Sequence, residues 1–483
     1  MNMNWEFDYL EVEYIWNKIN IDSLAKIKIA YLDTGCDISH KFFRNNKITA
    51  LSVSDDINLE DEIGHGTFFA GVVSKLTNVH GKVGPEILSI KIGNTGQFSI
   101  KNVNKGIQIA IDNKADILNI GACNAYYSPE MARLINQAIE SGIIVICPSG
   151  NYIFEEYTYP SSLETVISCA SSDINGNLAE HSNFHEFVDV LAPGVDILGP
   201  LSEKQAKRLG IETNECGLAK MSGTSFASAI LSSLAVLLKS SFSLNQWHFK
   251  YLLENAFAKS YSYVMQNGTK IKKPIINFRE ALQWIKNSGF ENYTPDILQR
   301  NYLNLKVPVD FMLNKQWEVQ TYDSKGNFVE INMEDLTVEV YKFQSDQKLQ
   351  KEKIDVRKVN IKNGSLFWEF DVNNPGVYKI KIISKGNING AMSMAIVKPN
   401  PPKLSYAEKK GDKVNIKFED VEDNVEIYYS IINDRLVVDP MKGPLRGTQR
   451  YIGVFDVPNN CDCLFAATFA NGIFSEIVRF ELK

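Results

Sequence analysis

The 483 residues carry 51 Lys plus Arg against 57 Asp plus Glu, a net charge of −6, and are 44% hydrophobic and 22% charged. That balance is ordinary for globular domains and argues against broad binding to nucleic acid or anionic membranes. No apolar run reaches the roughly 18 residues of a transmembrane helix, and a chain this long buries at least one large core and divides into two or three domains.

The N-terminal stretch "MNMNWEFDYLEVEYIW" is acidic and aromatic. It lacks the basic-then-apolar layout of a secretory signal, which predicts a cytoplasmic protein. "EFDYLEVEYI" alternates as a strand would; a docked surface segment fits it as well. The seven cysteines are odd in number and widely spaced, unlike a disulfide framework. Cys461 and Cys463 read as alternating positions on a strand rather than as a metal site.

From residue 26 to 290, short apolar strands alternate with helical patterns. "KIKIAYLD" (26–33), "EILSIKI" (86–92), "DILNIG" (116–121), "GIIVIC" (142–147) and "TVISCA" (165–170) are continuous apolar runs, as in a parallel sheet covered on both faces. Helices are expected over 65–76, 99–115 and 128–142; the last opens with Ser128-Pro129 and closes at Gly142, a start-and-stop pair. The fold class is therefore α/β, an open, mostly parallel sheet with helices on both faces, and sites in such sheets form at the carboxyl ends of the strands. After about residue 290 the texture becomes strand and turn. "LKVPVDFM", "WEVQTYD", "LTVEVYKF", "SLFWEFDV", "GVYKIKIIS" and "AMSMAIV" precede the linker-like "KPNPPK" (398–403), and a second strand series follows. Two β-sandwich modules with immunoglobulin-like or fibronectin-like strands fit this spacing. The expected division is an extension at 1–13, an α/β domain at 14–290, and β modules at 300–398 and 403–483.

Three features sit at strand ends or helix starts. Asp33 ends the first strand in "YLDTGCD", His65 opens a helix in "GHGTFFAGVV", and Ser225 lies in "SGTSFASA". Alone, each has a plain explanation as a turn cap, a helix-terminal residue or an N-cap. Together they form a Ser-His-Asp set. A serine hydroxyl is a weak nucleophile until a base takes its proton, and a histidine oriented by a buried carboxylate does so near neutral pH. A helix starting at Ser225 also directs backbone N–H groups toward developing negative charge.

"IAYLDTGCDISH", "HGTFFAGVV" and "MSGTSFASA" resemble the Asp, His and Ser boxes of the subtilases, the subtilisin-like serine proteases, in the same Asp, His, Ser order. The resemblance runs from about "YIWNKIN" (14–20) to "SSLAVLLKS" (232–240) and includes "ADILNIGACN" (115–124), "GIIVICPSGN" (142–151), "YPSSLETVISCASSD" (159–173) and "VDVLAPGVDI" (188–197). It implies that Ser225 attacks the scissile carbonyl, His65 is general base and then acid, Asp33 orients His65, and Asn151 donates to the oxyanion. It also implies that Gly121, Ala122 and Cys123 bind substrate. Phe68 stands where the family usually has a second His, Ala229 where it has Pro, and Gly121-Ala122-Cys123 where it has Ser-Leu-Gly. Cys123 in place of glycine either reshapes the pocket for the P1 side chain or points into the core. The protease-like match begins near Trp16, leaving roughly a dozen residues, too few for a folded propeptide. They would lie across the cleft as an inhibitory strand or dock on the surface. No calcium loop of the D-x-D-x-D type is present, so no metal and no cofactor are expected.

The leading reading is a cytoplasmic serine endopeptidase acting on a narrow peptide or protein substrate, in precursor processing, regulation or defence. The alternatives are a catalytically silent scaffold working through its β modules, and an esterase or peptide ligase on the same triad. The β modules are the candidates for a protein partner or for self-association. Fold analogy says nothing more specific about them.

Overall fold

The computed structural model describes residues 4–482 apart from 54–57, 83, 95–97, 124–126, 152–157, 186, 267–268, 289, 291–300, 307–315, 324, 331–335, 344–348, 363–364, 373, 385–387, 390, 422–424, 432–437, 440–442, 445–447 and 471–472. Most of the expected strand "LKVPVDFM", the end of "ADILNIGACN" at Asn124, and Ser324 and Asn373 of two expected turns lie outside the described residues. The chain parts into two compact units, residues 1–304 with 322–329, and residues 305–321 with 330–483.

The centre of the first unit is a sheet of β1 (Lys28–Asp33), β2 (Lys47–Ser52), β3 (Glu86–Lys91), β4 (Ile117–Ile120), β5 (Ile144–Pro148), β6 (Ile167–Ser172) and β7 (Val188–Pro193), in the order β2-β3-β1-β4-β5-β6-β7. All neighbours run parallel. Five of these strands match the apolar runs, because both faces of the sheet are covered and their side chains are almost all buried. Strand β2 is half-exposed at the sheet edge and has no continuous apolar run to announce it. From β1 the chain builds β2 and β3 on one side, then crosses to β4 on the other. Asp33 thus ends a strand at the switch point, where open α/β sheets form their crevice.

The helices are α1 (Trp5–Tyr9), α2 (Val12–Trp16), α3 (Ile21–Leu24), α4 (His65–Thr77), α5 (Ile100–Asp112), α6 (Pro129–Glu140), α7 (Glu203–Leu209), α8 (Thr224–Lys239), α9 (Gln246–Asn255) and α10 (Phe278–Asn287). One sheet face packs on α5 and α6 through Val103, Ile107, Met131 and Ile135, with Leu32, Leu118 and Ile120 beneath them. The other packs on α4 and α8. Ser128 caps α6 by accepting from the Met131 amide at 3.3 Å, and Pro129 fills the first helical position. Helix α8 is buried along its whole length from Thr224 to Leu238, as expected of a helix apolar nearly all round.

The N-terminal segment is helical, not a strand. Val12 and Ile15, three residues apart, share one helix face and are both fully buried. Trp16 Nε1 donates to the Leu76 carbonyl at 2.8 Å, and buried Glu6 pairs with Lys75. These contacts fall near the C-terminal end of α4, about 15 Å along the helix from His65. The described part of the segment is therefore docked on the core and does not lie across the His65 end. Replacing Glu6 with alanine would leave Lys75, which also donates to the Leu198 carbonyl at 2.6 Å, without a counter-ion in a site where it is only 14% exposed. The expected cost is about 3–5 kcal/mol, read as a lower midpoint of thermal unfolding; an unchanged midpoint would show that the pair contributes nothing.

Among the described residues of the second unit, the following strand pairings are antiparallel and fall into two series. In the first, Leu336–Phe343 pairs with Leu349–Glu352 and with Gly376–Ser384, which pairs with Ala391–Val397, and Asp355–Lys362 pairs with Ser365–Asp371. In the second, Leu404–Lys410, Lys413–Phe418 and Phe455–Pro458 form one sheet, and Glu426–Ser430, Cys463–Ala470 and Val478–Glu481 form another. Val414, Ile416, Phe418, Val457 and Leu464 share a small core there.

Candidate active site

Asp33 is fully buried at the end of β1. Its Oδ1 accepts from the Thr34 amide at 2.7 Å, and its two oxygens lie 2.8 and 2.9 Å from His65 Nδ1. His65 is the first residue of α4, with its side chain 28% exposed. Burial pulls the His65 pKa down, but the charge and hydrogen bond of Asp33, with a smaller push from Asp61, together outweigh it, so the pKa stands above the ordinary histidine value. An imidazole engaged by a carboxylate through Nδ1–H leaves Nε2 as its basic nitrogen.

Asp61 escapes motif reading. It is 2% exposed and accepts from Thr34 Oγ1 at 2.9 Å, the Gly64 amide at 2.9 Å, the Thr67 amide at 2.8 Å and Thr67 Oγ1 at 2.6 Å. It therefore ties the turn after Asp33 to the first turn of α4. The signal for it is an Asp just ahead of a helix start, where carboxylates satisfy free amides.

Ser225 lies in the first turn of α8 and is 6% exposed. Asn151 Oδ1 accepts from both the amide and the hydroxyl of Thr224 at 2.9 Å. That orients the side chain and leaves Nδ2 without a hydrogen bond among the described residues. Behind Ser225, its carbonyl accepts from Ser228 Oγ at 2.8 Å, and Ser228 and Ser232 accept from Asn119 Nδ2 at 3.0 Å. Asn119 is fully buried in β4; an amide inside an apolar strand was its sequence signal. Among the described residues no hydrogen bond joins Ser225 Oγ to His65, and such bonds are often long until substrate is in place.

One cleft of about 250 Å³ is lined by His65, Ser225, Asn151, Gly121, Ala122 and Cys123, together with Ile63, Phe98, Pro148, Gly150 and Thr224. Six of the seven site residues expected from sequence thus meet in one place, and Asp33 stands behind His65. Gly121 cannot carry a side chain here: an added Cβ would lie 2.7 Å from Asp33 Oδ2 and 2.9 Å from the Leu32 carbonyl. Cys123 faces the cleft wall, its Sγ 3.4 Å from the Pro148 carbonyl, rather than the core. Burial pushes its thiol pKa up to about 12, so it is held protonated. Phe68 is buried with its ring 4.5 Å from Phe226, which in turn lies 5.3 Å from His65. Ala229 is buried within α8. Among the described residues no group of three or more His, Cys, Asp and Glu side chains is placed to hold a metal, and no helix is long and apolar enough to cross a membrane.

Residues 25–277 match the sequence model of the subtilase family. Over 230 residues the chain is 31% identical to the major intracellular serine protease of Bacillus subtilis (strain 168), covering 44% of this chain and 68% of that one. Over 249 residues it is 30% identical to an intracellular serine protease of Paenibacillus polymyxa, covering 48% and 71%. A solved cold-adapted subtilisin-like serine proteinase aligns with a TM-score of 0.45 and 20% identity over 54% of this chain and 91% of that one. With more than half its length matched to the family and two serine proteases among its relatives, the chain belongs to the subtilases and is a subtilisin-like serine protease.

Proposed function

We propose that the protein is an endopeptidase in which Ser225, His65, Asp33 and Asn151 carry acyl transfer. The observation that carries this reading is the engagement of His65 Nδ1 by buried Asp33 at 2.8 and 2.9 Å beside a cleft that also holds Ser225 and Asn151. Ser225 Oγ attacks the scissile carbonyl carbon while its proton passes to His65 Nε2. The oxyanion takes hydrogen bonds from Asn151 Nδ2 and the Ser225 amide. His65 then protonates the leaving amine as the C–N bond breaks, and a water, giving its proton to His65, hydrolyses the acyl-enzyme.

The substrate is a peptide or protein, laid as an added strand along Gly121-Ala122-Cys123. A narrow target, such as a precursor or a regulatory partner, suits a protease working in the cytoplasm, where the two relatives named intracellular also point. The strand series at 300–398 and 403–483 are read as two modules that recruit substrate or a partner. Mapping new N-termini in host lysate treated with wild-type and Ser225→Ala protein tests this reading. Cleavages that need Ser225 support it and name the substrate; their absence, with wild-type protein still folded, favours a scaffold.

Cys123 narrows the P1 end of the cleft. Cys123→Gly is expected to improve kcat/KM for large P1 residues relative to small ones by about tenfold, the scale on which a pocket resolves a few atoms. A peptide-library profile identical to wild type would sink this expectation.

A further inference from the structure

Tyr127 lies four residues after Cys123 along the chain, and the chemistry does not use it. Tyr127 is 3% exposed. Its ring stacks on Tyr302 with centroids 5.4 Å apart and planes 4° apart, meets Tyr159 edge-on at 5.6 Å, and lies 5.9 Å from Tyr322. Its phenol donates to the Asp323 carbonyl at 3.0 Å. Tyr302 Oη in turn accepts from the Glu164 amide at 2.7 Å.

Tyr322 and Asp323 open the segment 322–329, which belongs to the first unit although the chain on both sides of it belongs to the second. Its turn is held from within. Asp323 Oδ1 accepts the amides of Lys325 and Asn327 at 2.9 and 2.8 Å, and Asn327 Nδ2 donates to Asp323 Oδ2 at 2.9 Å. Gly326, at φ +80°, lets the tip press against the first turn of α6. A Cβ there would lie 2.4 Å from the Pro129 carbonyl oxygen and 2.9 Å from Arg133 Cγ.

Gly121 and Tyr127 are therefore each held in place. The Gly121 amide donates to the Leu32 carbonyl at 3.1 Å. Tyr127 is gripped by three tyrosine rings and by the backbone of 322–329. We propose that the 322–329 hairpin is a positioning strut: through Tyr127 it sets the shape of the substrate-binding segment, so that recognition of extended peptides depends on chain drawn from the C-terminal half. This rests on the reading of Gly121-Ala122-Cys123 as the substrate segment. A small fluorophosphonate, which phosphonylates Ser225 Oγ with loss of fluoride, needs only Ser225, His65 and the oxyanion donors, whereas an extended peptide needs the segment as well. The two kinds of probe therefore separate positioning from chemistry.

Full-length wild type, Tyr127→Phe, Tyr127→Ala and Gly326→Val are compared by the rate of fluorophosphonate labelling of Ser225 and by KM and kcat on fluorogenic tetrapeptides. Tyr127→Ala and Gly326→Val are expected to label within about twofold of wild type, with peptide KM raised about tenfold and kcat little changed. Tyr127→Phe, which keeps the ring and loses only the bond to Asp323, falls between. An unchanged peptide KM in Tyr127→Ala and Gly326→Val overturns the proposal. So does a parallel loss of labelling and cleavage, which would mean general disruption. Wild type that neither labels nor cleaves overturns the protease reading first, and the strut with it.

Discussion

Replacing His65 with alanine is expected to lower kcat by about 10⁶-fold while Ser225 stays in place, a magnitude measured on subtilisin itself, a member of the same family. Without an acceptor for its proton, the Ser225 hydroxyl is a poor nucleophile, and the leaving amine loses its proton donor. The His65 ring is held by Asp33 at Nδ1 and by Phe226 at 5.3 Å, so its loss leaves a gap at the helix start rather than in the central core. The folded state should survive, as a thermal unfolding curve would show. Steady-state cleavage of fluorogenic peptides is the measurement, and a loss below about 100-fold would place the base elsewhere.

The second large effect is Asp33→Asn, expected to cost about 10⁴-fold in kcat because the wrong imidazole tautomer is stabilised. It carries a separate signature in pH. Burial lowers the His65 pKa, and the charge and hydrogen bond of Asp33, with a smaller push from Asp61, together raise it by more. Only neutral His65 can act as base. In wild type, kcat/KM therefore rises with pH through a midpoint above about 6.5. With asparagine the larger part of the upward push is gone and the burial remains, so the acidic limb of the residual activity moves to lower pH. An acidic limb that stays in place would show that Asp33 does not set the basicity of His65.

The parallel sheet was legible because burial on both faces writes itself as continuous apolar runs, as in Ile144–Pro148. The half-exposed edge strand Lys47–Ser52 was not, since its pattern carries no such run. The alternation in "EFDYLEVEYI" suggested a strand, yet burial of Val12 and Ile15 on one helix face won. At the site, Asp33, His65 and Ser225 stood out as residue types competent for one chemistry in one order, and Asn151 only through the resemblance to the subtilases. Asp61, Thr224, Asn119 and Ser228 did not, because their work is to bond the elements that hold those four, and only three-dimensional proximity displays it. Tyr127 and the 322–329 hairpin are 195 residues or more apart along the chain, and no local pattern joins them.

The central claim is that Ser225 is a nucleophile activated by His65. The direct measurement is fluorophosphonate labelling of the purified full-length protein, with the modified residue located by peptide mass spectrometry. A single adduct on Ser225 is expected, absent in Ser225→Ala and strongly slowed in His65→Ala. Folded wild-type protein that takes up no label, or takes it up on another residue, would contradict it.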